Sequence, residues 1–117
     1  LLVDRAKERL VHQYANSLHD PEVAYLYSQS TRRYIYTTLE TVAYLTAFVI
    51  TATEGDTIDL TAKSGHMLQL SIEEARVVIR EILSYYKQAQ LKLSECLKRV
   101  DAASSPQELQ SIQFEVQ

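Results

Sequence analysis

The stretch Ser71–Asp101, SIEEARVVIREILSYYKQAQLKLSECLKRVD, decides how this chain is read. Ile72, Ala75, Ile79, Ile82, Tyr86, Ala89, Leu93, Cys96 and Val100 recur at alternating spacings of three and four, the seam of an amphipathic helix about four heptads long. Such a seam needs a partner along its length, either another helix of this chain or another copy of it. Ser71-Ile72-Glu73-Glu74 matches a capping box, in which the serine oxygen accepts from a free N–H of the first turn and Glu74 reaches back to the N–H of the cap. A helix over 72–102 follows.

Outward from that helix the periodicity changes. Upstream, Ile58, Leu60 and Ala62 alternate with Asp59 and Thr61, Lys63-Ser64-Gly65 supplies a loop, and Met67–Leu70 returns, which predicts a β-hairpin over 57–70. Downstream, Ser105-Pro106-Gln107-Glu108 repeats the cap chemistry and predicts a short helix over 106–112. At the N-terminal end Val3, Ala6, Leu10, Tyr14 and Leu18 share one face, giving a helix over 1–18. His19-Asp20-Pro21-Glu22 ends it and starts another, since Asp20 can cap and Pro21 suits the first helical position.

Residues 21–53 read as a long or broken helix. Val23 to Tyr27 is apolar, whereas Ser28-Gln29-Ser30-Thr31-Arg32-Arg33 is polar, so either the helix continues with a solvated face or Ser30 or Thr31 caps a new one. Ile35, Leu39, Val42, Leu45 and Val49 then form a second seam, a candidate partner for the first. Its spacing predicts helix to about Thr51, and the β-favouring run Phe48–Thr53 ahead of Glu54-Gly55-Asp56 leaves a strand as the alternative. The expected fold is a single domain over 1–117, mainly α: a small bundle of two or three long helices with a short β-hairpin between the central and C-terminal long helices.

Composition narrows the function classes. With 46% hydrophobic and 23% charged residues the chain is built to bury a core, and its net charge of −3 gives no general attraction to nucleic acid or anionic lipid. Thr41 to Ala52, the longest weakly polar run, is too short to cross a bilayer, so neither nucleic acid nor membrane is an expected partner. The opening Leu1-Leu2-Val3-Asp4 lacks methionine, which points to a processed product or a fragment of a longer protein.

Site chemistry is sparse. His12 and His19 are two helical turns apart, too far to share a metal, and His66 falls in the hairpin. Glu8 and His12 suit a surface pair. Cys96, the lone cysteine, sits on the seam as a packing thiol, and no serine stands in a Gly-x-Ser-x-Gly elbow. Two glycines, Gly55 and Gly65, build no phosphate-cradling loop. No enzyme, cofactor or metal is expected. Arg32-Arg33 beside Tyr34 and Tyr36 reads as a helix surface with aromatic packing rather than as a nucleic-acid contact.

Eight tyrosines against two phenylalanines is a skew, and tyrosine suits half-buried borders where the ring packs and the hydroxyl stays wet. They mark either the margin of a small core or contact with another subunit. The front of the long seam, widened by Val78, Leu83 and Tyr85, is expected to pack inside the domain. Its rear, with Tyr86, Leu93, Leu97 and Val100 as candidate interface residues, is left to the first helix or another subunit.

From Gln29 onward the order of features resembles a known family. A Ser- and Arg-containing helix start and a helix lead to the hairpin Thr57-Ile58-Asp59-Leu60-Thr61 and Met67-Leu68-Gln69-Leu70, followed by Ser71-x-Glu73-Glu74-Ala75. A long helix with Leu91-x-Leu93 then runs to Asp101-Ala102-Ala103-Ser104-Ser105-Pro106-Gln107-Glu108-Leu109-Gln110-Ser111-Ile112. This resembles the uncharacterised domain of bacteriophage tail-fibre and tail-fibre-associated proteins, over about Gln29 to Gln113. The chain departs from that pattern in carrying Thr53-Glu54-Gly55, and no tryptophan, just before the hairpin, and its first helix has no counterpart. The resemblance implies a non-enzymatic phage virion structural or tail-assembly protein, working through helix–helix contacts with copies of itself or with phage tail proteins. It brings no catalytic residues. The alternative is a helical interaction or sensor domain from a larger bacterial protein, which would place the chain in the bacterial cytoplasm rather than in a virion.

Overall fold

The structure, a computed structural model, describes residues 1–115. Along the chain come α1 (Leu2–His19), β1 (Tyr25–Ser28), β2 (Arg33–Tyr36), α2 (Leu39–Thr51), β3 (Thr57–Thr61), β4 (Met67–Ser71), α3 (Ile72–Ala102) and α4 (Pro106–Ser111). α3 is the spine of a molecule extending 58 × 26 × 20 Å, and the other elements attach along it.

The expected simple bundle with one hairpin is overturned. Two antiparallel hairpins, β1–β2 and β3–β4, alternate with the helices in a helix-β-β-helix-β-β-helix order. The first hairpin occupies the front of the segment expected to be a long or broken helix over 21–53. Its cause lies in a period of two: Leu26 and Ser28 point inward while Tyr27 between them is exposed, and on β2 Ile35 is buried while Tyr34 is exposed. Aromatic side chains at such positions favour a pleated, half-buried surface. The polar run Gln29–Arg32 is the turn that joins the strands, and Arg32 adopts the left-handed conformation (φ 59°). Neither Ser30 nor Thr31 caps a helix. That role falls to Thr38, whose side chain accepts from the Thr41 N–H.

Residues 21–23 form a turn, so no helix starts at Pro21, whereas the readings of the α2 end, the second hairpin and the two later caps hold. α2 stays helical to Thr51, with no strand over 48–53. β3 and β4 pair from Thr57 opposite Ser71 to Thr61 opposite Met67. Both halves of the Ser71 capping box form, and Ser105 caps α4 through the Glu108 N–H.

Two apolar cores share the spine. In one, Ala6, Leu10 and Leu18 of α1 meet Ala89, Cys96 and Val100 of α3, closed off by Leu109, Ile112 and Phe114. In the other, Leu26, Ile35, Leu45, Leu60 and Leu70 pack on Ala75, Val78 and Ile82. Of the second seam, Leu45 is buried and Val42 and Val49 border the core, but Ile35 arrives from a strand and Leu39 is 61% exposed. Tyr85 and Tyr86 touch both cores at the middle of α3.

Candidate functional site

The feature that most needs a purpose is the outer face of the first hairpin. Tyr25, Tyr27 and Tyr34 lie on it, with Tyr27 and Tyr34 44% and 50% exposed. The rings meet edge to face, Tyr34 standing 5.8 Å from Tyr25 and 5.2 Å from Tyr27 between centroids. Lys63, from the loop of the second hairpin, places its ammonium 3.4 Å from the centre of the Tyr25 ring, a cation–π contact. Its backbone N–H donates to the Tyr34 carbonyl at 2.9 Å, which ties the two hairpins together. The rings border an open depression of about 910 Å³, reached also by Ser17, Val23, Tyr85, Phe114 and Glu115. Arg32 and Arg33 extend the rim beyond Tyr27 and Tyr34.

This face is held in place from below. The Glu81 carboxylate of α3 accepts from the Ser28 hydroxyl at 2.9 Å, the Ser30 hydroxyl at 2.5 Å and the Gln29 N–H at 2.8 Å. Charge-assisted bonds of this kind are about twice as strong as neutral ones, and here they fix the turn that contains the left-handed Arg32. At the other end Thr37 donates its N–H to the Ala24 carbonyl and its hydroxyl to the Leu18 carbonyl. Tyr86 donates its hydroxyl to the Thr37 carbonyl. The hairpin is therefore pinned to both α1 and α3.

The interface residues expected from sequence are not part of this exposed face. Val100 is 1% exposed inside the α1–α3 core, Leu93 and Leu97 are half-buried against it, and Tyr86 is half-buried beneath the hairpin. The structure brings Leu93, Leu97 and Val100 together along α1 and leaves Tyr86 at the junction of the cores. Burial raises the Tyr85 and Tyr86 hydroxyl pKa values above the ordinary tyrosine value, with the neighbouring Tyr14 adding to the effect at Tyr86. Arg32, Arg33, Tyr34 and Tyr36 lie on a turn and a strand rather than on the expected helix surface, and the sequence shows Lys63 as a loop residue but not that it joins the tyrosines. The alternation Tyr25-Leu26-Tyr27 was the available signal.

The remaining candidates are dispersed. Cys96 is buried with its thiol toward the Gln113 carbonyl, His66 pairs with Ser64, and His19 packs edge-on to Tyr86. Among the described residues no three His, Cys, Asp or Glu side chains converge as metal ligands, and no helix is long and apolar enough to cross a membrane. Comparison with protein-family models, with curated proteins and with solved structures gives no match.

Proposed function

We propose that this chain is a non-enzymatic assembly module of a phage virion, of the tail-fibre-associated kind, and that it joins protein to protein through the tyrosine face of its first hairpin. The cluster of exposed Tyr27 and Tyr34 with half-buried Tyr25 carries this reading, because tyrosine and arginine are enriched where proteins dock and an aromatic patch is costly to leave in water. The rear of the α3 seam is taken up by α1, so the surface left for a partner is the hairpin rather than the long helix. The Asp-Ala-Ala and Ser-Pro-x-Glu-Leu-x-x-Ile tail, the most telling part of the resemblance, belongs to α4 and its approach.

The test is to raise antibodies to the chain, look for it in purified virions and tail intermediates, and delete its gene. The expected outcome is the chain in tails or tail intermediates, with loss of tails or fibres on deletion. Complete, infective particles without it, and no trace of it in any tail intermediate, would remove the virion role and favour the excised bacterial interaction domain.

A further inference from the structure

The tyrosine face carries an excess of positive charge. Arg32, Arg33 and Lys63 border Tyr27 and Tyr34, and none of the three takes part in an ion pair among the described residues. Glu115 is the single carboxylate lining the adjoining depression. On a chain whose net charge is −3, three unpaired cations gathered around exposed rings make a local field opposite to that of the whole molecule. Complementary potential across an interface steers encounter and selects the partner.

We infer that this face binds an acidic polypeptide segment, with its carboxylates on Arg32, Arg33 and Lys63 and its apolar side chains on Tyr27 and Tyr34. The inference rests on the assembly reading above and names the chemistry of the partner. The ring geometry argues for a peptide over single-stranded nucleic acid. Bases stack on open, separately presented ring faces. Here Tyr34 stands edge to face with both Tyr25 and Tyr27, within 6 Å of each, and the Lys63 ammonium covers one face of Tyr25. Three cations would also neutralise few phosphates, too few for a backbone-tracking groove. Apolar side chains fill the angles between perpendicular rings, and arginine forks match carboxylates in pairs.

The experiment is a selection from a displayed library of random peptides on the whole chain and on the double variant Arg33→Glu, Lys63→Glu. Both changed side chains are exposed, and circular dichroism checks that the fold is kept. The expected result is recovered peptides several-fold enriched in Asp and Glu with apolar residues between them. A synthetic copy of one should bind the double variant at least tenfold more weakly and lose affinity as salt rises. Recovery of no peptides, of peptides without acidic excess, or of peptides that bind the double variant equally well would overturn the inference. An oligothymidylate that displaces the peptides and binds more tightly would overturn it in favour of nucleic acid. Acid-rich peptides recovered for a chain absent from virions would leave this surface chemistry standing and remove only the virion role.

Discussion

The Glu81 carboxylate, in the first third of α3, accepts the Ser28 hydroxyl at 2.9 Å across 53 residues of sequence. With the Ser30 hydroxyl and the Gln29 N–H on the same carboxylate, one side chain of the spine determines where the first hairpin turns. Glu81→Ala should cost about 1–3 kcal/mol, the scale for leaving such donors unpaired. Denaturant unfolding measures that loss. Amide exchange at Gln29 and Ser30 should quicken more than exchange in α1, which separates local release from general weakening.

Each core should report on the whole molecule, because both are built on α3. Leu10→Ala in one and Ile82→Ala in the other are each expected to cost about 2–5 kcal/mol, since both side chains are fully buried. Circular dichroism and tyrosine fluorescence should follow one coincident transition in either variant. Two separated transitions would mean that the cores unfold independently.

Alkali should find the middle of α3. Burial raises the Tyr85 and Tyr86 pKa values above the ordinary tyrosine value, so both stay protonated in the folded chain at a pH where they would ionise if unfolded. The stability they contribute is complete below about pH 10 and is lost as pH rises through the raised folded values. Tyrosinate absorbance should show Tyr85 and Tyr86 ionising above the ordinary tyrosine value, together with loss of structure. Tyr85→Phe should remove one late ionisation.

Acid acts at the approach to α4. The Ser104 N–H, and next its hydroxyl, hold the Glu108 carboxyl below its ordinary value. That contribution is present above the unfolded carboxyl pKa and is lost as pH falls through the lowered folded one. Glu108 is fully exposed, so the effect should be local. The Ser104 amide resonance should move with Glu108 protonation, and Glu108→Gln should abolish the movement without shifting the unfolding midpoint appreciably.

How far these features could be read in the sequence depends on the range of the forces behind them. The Ser71 box, the 72–102 seam and the alternation after Gly55 are local patterns, and each became the expected element. The first hairpin was misread because Val23 and Tyr27, or Ile35 and Leu39, fit helical spacing as readily as Tyr25 and Tyr27 fit a strand. What decides between them is distant: Glu81 grips the turn, and the core around Val78 and Ile82 receives Leu26 and Ile35. The candidate site was hidden for the same reason. Its tyrosines are near in sequence, but Lys63 joins them only through the pairing of one hairpin with the loop of another.

Arg9 of α1 donates to the carbonyls of Leu109 and Ile112, Lys7 pairs with Asp101, and the Gln13 side chain donates to the Gln113 side-chain oxygen and accepts the Phe114 N–H. α1 therefore has partners at the far end of the described chain, in the end of α3, in α4 and just beyond it, all made after α1 itself. Until the rear of α3 is made the face of Ala6, Leu10 and Leu18 has nothing native from the long helix to cover it, and the cover is completed only by Leu109, Ile112 and Phe114, while the two hairpins, α2 and the front of α3 already hold all they need for the other core. Synthesis thus imposes an order in which α1 is made before the elements it docks against, and a nascent chain stalled before the rear of α3 would expose that apolar stripe to chaperones or to a neighbouring chain.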